Sequence, residues 1–242
     1  MLTNSTLKKL QAEQQKLDQT IWENYQKRNN ITTDNVGKTK ESFIRIKIAL
    51  LVEIGELANE LKTFKHWKSQ KDINWDKAKE ELIDCLHFYL SWVNGFQIDF
   101  SDYKFCKLVP DPDYNQLLLA LFSETETFSI NVPWKVLKPK MLAVHEKSWE
   151  DSISKLSPDD KDYEKNLKDF KEAKEKTKKD IEKMNSNFLE EIETEKNKAS
   201  FYRWLLIFEE LAHKLGMVSE KDIEAAYMKK NKINWERQQS NY

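Results

Sequence analysis

Two pairs of acidic residues, each within an apolar segment, are the side chains of this sequence best suited to chemistry. Glu53 and Glu56 stand three residues apart in a segment rich in Ile, Leu and Val, and Glu81 and Asp84 repeat that spacing in a second segment. On an α-helix this spacing places both members of a pair within about 60° of each other, on one face. The other faces are apolar nearly all round, which is unusual for a surface helix and indicates that the carboxylates are partly buried.

Neighbouring carboxylates of this kind need a counter-charge. Two of them ~4 Å apart repel by about 4 kcal/mol at an effective dielectric constant of about 20, so some would otherwise take up protons. A divalent cation removes the repulsion, and an all-oxygen ligand set favours Mg²⁺ or Mn²⁺ over zinc. The alternative is a set of partly exposed structural carboxylates, because the same spacing recurs in a Lys- and Glu-rich segment, at Glu172/Glu175 and Glu190/Glu193.

A polar stripe near the end of the sequence offers groups that bind phosphate. Helical spacing places six residues on one face: Tyr227, Lys230, Asn231, Asn234, Arg237 and Gln238. Lys and Arg side chains are common partners of phosphate groups, although an ordinary basic face near a helix end gives the same pattern. Near the start, Gln15, Asp18 and Trp22 share one side of a predicted helix. An amide and a carboxylate there suit a base edge or a sugar hydroxyl, but they also suit an ordinary polar face.

The composition indicates an all-α protein. The chain has 242 residues with only 4 Gly and 5 Pro, and 33% of its residues are charged. Tight hairpins and nucleotide-cradling loops need glycine, so all-β, Rossmann and P-loop folds are disfavoured. A net charge of −1 disfavours a general nucleic-acid binder. Two cysteines define no disulfide framework, and no signal core or membrane-length apolar run is present, so we expect a cytoplasmic protein.

The carboxylates and the polar stripe must be positioned by helices. Hydrophobic spacing and turn residues predict these elements: a helix over 5–27, a loop over 28–39, a helix over 40–68, a helix capped by Asn74 to about Gly95, a short buried helix from Leu117 to Phe122, a connection between Pro133 and Pro139, a solvated helix or helix pair over 160–198, an apolar helix over 200–215 closed by Gly216, and a last helix capped by Ser219. We expect a single catalytic domain over 1–242, with a core of 1–100 and 200–242 and a helical insertion or mobile part at about 101–198.

Taken together, these motifs resemble a known family. The ordered pairs Glu53/Glu56 and Glu81/Asp84 look like the metal motif of the all-α nucleoside triphosphate pyrophosphohydrolases, the MazG-like superfamily. Within it the sequence resembles the dimeric all-α dUTPases on further motifs: Gln14-Gln15-Lys16-Leu17-Asp18, Phe64-Lys65-His66-Trp67-Lys68, Asp84-Cys85-Leu86-His87-Phe88, and Lys230-Asn231-x-x-Asn234-x-x-Arg237-Gln238 followed by Tyr242. The resemblance covers about 11–95 and 200–242, and it implies an all-α bundle with a long Lys- and Glu-rich helical insertion.

The resemblance also implies an activity and a set of site residues. The implied reaction is Mg²⁺-dependent hydrolysis of dUTP to dUMP and pyrophosphate by metal-activated water, in a homodimer. About two or three Mg²⁺ ions, or Mn²⁺, would be held by Glu53, Glu56, Glu81 and Asp84, and Glu53 would also orient or deprotonate the water. The implied phosphate ligands are Lys230, Asn234, Arg237 and Tyr242. The implied base and sugar residues are Gln15, Asp18, His87, Phe88 and Trp67, with Trp67 supplied by either subunit.

Three alternatives remain at the level of sequence. A di-iron bundle would need Glu-x-x-His on two helices, and Glu210/His213 fits once while Asp84/His87 fits loosely. A non-enzymatic helical protein would use 160–198 as its contact surface. The same enzyme scaffold could also prefer dCTP or accept several nucleotides, because the orientation of the pocket residues cannot be read from sequence.

Overall fold

The chain folds into a bundle of α-helices. The computed structural model describes residues 1–30, 36–69, 72–108, 110–184 and 188–240, and it describes no side chains for 36–40 and 188–194. Within these ranges the chain forms eight helices: α1 (Asn4–Arg28), α2 (Val36–Leu61), α3 (Trp75–Phe96), α4 (Tyr114–Thr127), α5 (Trp134–Ile153), α6 (Tyr163–Lys183), α7 (Phe188–Lys214) and α8 (Glu220–Gln239). The described residues include no strand, and the predicted all-α class is confirmed.

Several predicted helix ends are confirmed. The Asn74 side chain accepts a hydrogen bond from the Lys77 backbone N–H at 3.0 Å and caps α3. Ser219 and Asp222 form a reciprocal capping box at the start of α8. Gly216 follows α7 with a φ of 86°, the left-handed conformation that glycine adopts without steric cost.

The second helix differs from its prediction at both ends. α2 begins at Val36, inside the predicted loop over 28–39, and it ends at Leu61 rather than at residue 68. Lys62 has a φ of 55°, so the backbone leaves the helix there although the following sequence contains helix-compatible residues. The predicted hydrophobic pattern therefore located the helix but not its ends.

Three predictions for the middle of the chain need correction. The Pro133–Pro139 connection is wrong, because Pro139 lies inside α5. Proline removes only one helical hydrogen bond, and packing against α6 supports the rest of α5. The short helix at 117–122 is part of the longer α4, which begins with a capping box at Asp113. The helix pair over 160–198 is present as α6 and the first part of α7, but the separate helix predicted over 200–215 is wrong, because α7 continues through that segment.

The third helix occupies the centre of the bundle and carries most of the site. α3 packs against α1, α2, α7 and α8, while α4 packs against α7 and α2. Tyr89 stacks on Trp204 with ring centroids 4.1 Å apart, and both side chains are fully buried. Truncating such an aromatic residue to Ala typically costs 3–5 kcal/mol, so this contact holds α3 firmly in place. Glu81, Asp84 and His87 are thus presented by a helix that packs against four others.

Candidate active site

Three carboxylates from two packed helices converge on one point. Glu53 comes from α2, and Glu81 and Asp84 come from successive turns of α3. One carboxylate oxygen from each lies within 4.8 Å of the others. Glu81 is buried, whereas Glu53 and Asp84 are half-buried. The predicted acidic cluster is therefore present for three of its four members.

The crowding of these carboxylates shifts their proton affinity. Burial, and next the charges of Asp84, Glu56 and Glu81, raise the pKa of Glu53 to about 7, against a smaller opposing effect of Lys230. Burial also raises the pKa of Asp84, although Lys230 opposes this shift. A carboxylate with a pKa near neutrality is a group held without enough positive charge around it.

Two lysines contact the cluster and neutralise part of its charge. Lys77 lies 2.8 Å from Glu81 and 3.3 Å from Glu80, both on its own helix. Lys230, from α8, lies 2.6 Å from Asp84 and 3.0 Å from Glu80. Burial lowers the pKa of Lys230, but the hydrogen bonds to Asp84 and Glu80 outweigh it and raise the pKa overall. The predicted phosphate ligand Lys230 therefore does lie beside the acidic cluster.

The donor set fits a hard divalent cation. All the converging atoms are carboxylate oxygens, the ligands that Mg²⁺ and Mn²⁺ prefer. Burial and the charges of the neighbouring carboxylates both raise the pKa of Glu53, and Lys230 offsets only part of this shift. Carboxylates that favour protonation in this way would be stabilised by a cation in the same position.

The remaining predicted ligands lie at the edge of this cluster or beyond it. Glu56 is exposed and is not one of the three converging carboxylates, although its charge raises the pKa of Glu53. Asn234 is half-buried and Arg237 is exposed, further along α8 from Lys230. Tyr242 lies outside the described residues. The structure thus brings together the carboxylates and Lys230, and it leaves the other phosphate ligands as predictions.

A buried polar network lies beside the cluster, between α1, α3 and α8. The Gln14 amide donates to Asp18 at 2.8 Å and to the Ser91 hydroxyl at 3.0 Å, and its carbonyl oxygen accepts from the Tyr227 hydroxyl at 2.8 Å. The same oxygen lies 2.8 Å from His87 Nδ1. Gln14 and His87 are buried, and the His87 ring stacks on Tyr227 with centroids 4.2 Å apart. Polar groups so placed are suited to holding a ligand in one orientation.

Gln14, which was not among the predicted site residues, occupies the place expected of Gln15. Gln15 is exposed and does not take part in the described network. Gln14 follows the buried Leu7 and Leu10 and precedes Leu17 at helical spacing, so it interrupts the apolar face of α1. A polar residue on an otherwise apolar face was the signal in the sequence that identifies it.

The other base-site residues lie in two places. Phe88 is partly buried and packs against the core one residue after His87. Trp67 is 65% exposed, and its ring contacts are with Phe64 and His66 in the segment between α2 and α3. Trp67 is therefore a surface residue of the single chain.

The di-iron alternative is not supported by the geometry. Glu210 is buried and accepts a hydrogen bond from the Leu108 backbone N–H at 3.1 Å, whereas His213 is exposed. The Nδ1 atom of His87 contacts Gln14 rather than a carboxylate of the cluster. The two Glu-x-x-His type pairs therefore do not face one common site.

Carboxylates from two packed helices face a lysine from a third, which is the arrangement that the motifs of the all-α nucleotide pyrophosphohydrolases imply. The family model of the dUTPases matches residues 6–139 and, in a second match, residues 134–242. The chain therefore belongs to the dimeric all-α dUTPase family and is an enzyme that hydrolyses dUTP. Comparison with curated proteins and with solved structures gives no match. None of the described helices has the length and apolar character needed to cross a membrane.

Proposed function

We propose that the chain hydrolyses dUTP to dUMP and pyrophosphate in a Mg²⁺-dependent reaction at the Glu53–Glu81–Asp84 cluster. The observation that carries this proposal is the convergence of three carboxylate oxygens within 4.8 Å beside Lys230. Lys230 balances only part of the negative charge of the cluster, and a metal–triphosphate substrate needs both acidic and basic partners.

The metal ligands in this proposal are Glu53, Glu81 and Asp84, with Glu56 one turn along α2 as a further ligand. Mg²⁺ bound there would neutralise phosphate charge and lower the pKa of water. About two or three ions per site remain part of the proposal, as does Mn²⁺ as a substitute.

The protein side chains have separate tasks in this reaction. Glu53, whose pKa is raised to about 7, suits the role of orienting the attacking water and accepting its proton near neutral pH. Lys230 exchanges its carboxylate partners for phosphate oxygens, and Asn234, Arg237 and Tyr242 extend the phosphate site. Positive charge there stabilises the charge that develops on the leaving pyrophosphate.

The buried network beside the cluster is the proposed nucleoside site. Asp18, His87 and Phe88 keep their predicted roles, and Gln14 is the amide that the geometry supports at this place. The predicted role of Gln15 has no support from its exposed position. An enzyme with a preference for dCTP remains an outcome to be tested at this network.

The proposed assembly is a homodimer in the cytoplasm. Three apolar residues on one face of α2 are exposed, Ile44, Ile48 and Val52, and the aromatic residues Phe64 and Trp67 are exposed beyond the end of that helix. Exposed apolar faces of this kind are typical of protein interfaces. Trp67 would then complete the base site of one subunit or the other. The two free cysteines support a reducing compartment.

The experiment is a pyrophosphate-release assay with dUTP, dCTP, dTTP, dATP and UTP, in Mg²⁺ and in chelator. We expect Mg²⁺-dependent turnover of dUTP alone, and a loss of about a hundredfold or more in kcat for Glu53→Gln. Glu172→Gln is the matched control, because Glu172 has the same i,i+3 spacing on the solvated α6. Unchanged turnover by Glu53→Gln, or full activity in chelator, would contradict the proposal.

A further inference from the structure

Lys230 of α8 is held between two carboxylates on successive turns of α3. Its Nζ atom lies 2.6 Å from Asp84 and 3.0 Å from Glu80. Residues four apart on a helix lie on one face, so both carboxylates are presented to α8 together. Only 10% of the Lys230 side chain is exposed, so these two contacts fix the position of its ammonium group.

Glu80 differs from Asp84 because it is not part of the acidic cluster. Asp84 contributes one of the three converging oxygens, whereas Glu80 contributes none. Glu80 instead uses its two oxygens for two lysines: Oε1 accepts from Lys230 at 3.0 Å, and Oε2 lies 3.3 Å from Lys77. Occupation of the cluster by a metal ion would therefore leave the carboxylate of Glu80 available to both lysines.

These contacts form a row of alternating charges: Asp84, Lys230, Glu80, Lys77 and Glu81. Lys77 completes the row, because it lies 2.8 Å from Glu81. The two residues at the ends of the row are proposed metal ligands, whereas the three inner residues are not. Opposite charges in contact attract each other, so the inner three can stay together when the end residues bind metal.

Metal binding would change the surroundings of Lys230 at one end of this row. A divalent cation beside Asp84 repels a nearby ammonium group and competes with it for the same carboxylate. A lysine side chain is flexible and strongly hydrated, so without a second partner it would turn toward water. Glu80 is that second partner in the structure.

We propose that Glu80 is a positioning residue, which keeps Lys230 beside the cluster when Asp84 becomes a metal ligand, so that the ammonium group meets the phosphate oxygens of the substrate. The inference rests on the proposed function, and it limits the exchange of partners by Lys230 to Asp84. An ammonium group has three N–H donors, so Lys230 can keep Glu80 and still donate to phosphate.

The position of Lys230 is measured without turnover, by brief acetylation of the full chain and mass spectrometry of its peptides. Lys230 of the native protein should be protected both with and without Mg²⁺. In Glu80→Ala it should be protected without Mg²⁺, because Asp84 remains as a partner. Saturating Mg²⁺ should then raise its acetylation rate in this variant by about tenfold, the value of one charge-assisted hydrogen bond.

Other roles of Glu80 would give different patterns. A purely structural role would expose Lys230 in Glu80→Ala without Mg²⁺ as well. A purely electrostatic role would weaken Mg²⁺ binding but leave Lys230 protected at saturating Mg²⁺. Either pattern, or exposure of Lys230 by Mg²⁺ in the native protein, would overturn the inference.

Asp76→Ala is the matched control for this measurement. Asp76 is a carboxylate one turn before Glu80 on α3, but its ion pair is with Lys79, at 3.4 Å. The variant should leave the protection of Lys230 unchanged with and without Mg²⁺. The same rise in acetylation as in Glu80→Ala would show a general effect of charge and would contradict the role of Glu80.

Turnover tests the consequence for the phosphate groups. At saturating Mg²⁺, Glu80→Ala should lower kcat/KM for dUTP by about tenfold and weaken inhibition by pyrophosphate by a similar factor. Asp76→Ala should change neither quantity. An unchanged kcat/KM in Glu80→Ala would contradict the positioning role.

The two proposals fail in different ways. Protection of Lys230 is read without turnover, so the expected acetylation pattern in a protein that does not hydrolyse dUTP would contradict the proposed function alone. A protein that hydrolyses dUTP with Mg²⁺ but keeps Lys230 protected in Glu80→Ala would contradict only the role of Glu80. A protein that binds no Mg²⁺ in calorimetry would contradict both.

Discussion

At the scale of single residues, burial of the Asp18 carboxylate lowers the stability of the folded state, while the same carboxylate accepts hydrogen bonds in the network. Burial raises the pKa of Asp18 from 3.8 to about 6, although hydrogen bonds from Gln14 and Ser91 oppose the shift. Because the folded-state pKa lies above the unfolded value, the ionised carboxylate destabilises the folded state at and above neutral pH. This penalty shrinks as the pH falls through 6 and is absent near the unfolded pKa.

Asp18→Asn should therefore stabilise the protein at pH 8, by up to about 3 kcal/mol for a shift of about two pKa units. The gain should shrink as the pH falls from 6 toward 4 and disappear below it, because Asp18 is then neutral in both states. Urea unfolding of both proteins across this pH range measures the difference. A variant that is less stable than the native protein at pH 8 would show that the Gln14 and Ser91 hydrogen bonds outweigh desolvation.

The limits of sequence-based prediction are clearest at this scale. The convergence of Glu53, Glu81 and Asp84 followed from helical spacing and apolar context, since both are local properties. Gln14 takes part in the buried network, whereas the base-site role of Gln15 stays a prediction. Neighbouring residues on a helix lie about 100° apart, so a choice between them changes the face that carries the side chain. The partners of His87 depend on three helices at once, and no local pattern contains them.

At the scale of elements, the residues that cap the helix ends help to fix the helices of the bundle, including the α8 helix of the site. Both α4 and α8 begin with a reciprocal capping box, at Asp113/Gln116 and Ser219/Asp222. Capping boxes can be predicted from the residue types at the helix start, as the predicted Ser219 cap shows. Pro139, by contrast, was predicted to mark a connection but lies inside α5. Packing between α5 and α6 supports that helix, and the sequence alone does not reveal this packing.

The two capping boxes provide a matched test of the role of α8. Ser219→Ala should lower the free energy of unfolding by about 1 kcal/mol, because it removes the N-cap of the helix that carries Tyr227 and Lys230. It should also raise KM for dUTP, measured in the pyrophosphate assay. Asp113→Ala should cost similar stability in α4 but leave KM unchanged, because α4 carries none of the proposed site residues. Equal effects of the two variants on KM would contradict the assignment of the site residues to α8 rather than α4.

At the scale of the whole molecule, the exposed face of α2 is the feature that a single chain leaves without explanation. Ile44, Ile48 and Val52 are 39%, 56% and 51% exposed on one stripe, and a Cβ at Gly55, on the same stripe, would contact nothing within 4 Å. Glycine weakens a helix by about 1 kcal/mol relative to alanine, and no contact within the single chain requires a glycine at position 55. The apolar surroundings of Glu53 and Glu56, interpreted from the sequence as burial, thus include a face that is exposed in the single chain and that the proposed dimer would bury.

A twofold dimer through this stripe also has a consistent register. Around an axis near residue 50, antiparallel α2 helices would place Ile48 against the partner's Val52 and Ile44 over the partner's Gly55. The large side chain then fills the gap left by the small one, and each contact occurs twice.

If the chain dimerises through this face, Ile48→Lys should give a folded monomer, because the lysine charge would be buried at the interface, whereas in the single chain the position is solvent-exposed. Sedimentation equilibrium should give about twice the chain mass of 28.9 kDa for the native protein and the single-chain mass for the variant. Leu119→Lys, at a site that is 72% exposed on α4, is the matched control and should remain dimeric. If Trp67 completes the partner's base site, the monomer should also bind dUTP more weakly while retaining its helical content. A native monomer, or a dimeric Ile48→Lys variant, would exclude this face as the interface and would assign Gly55 no role in assembly.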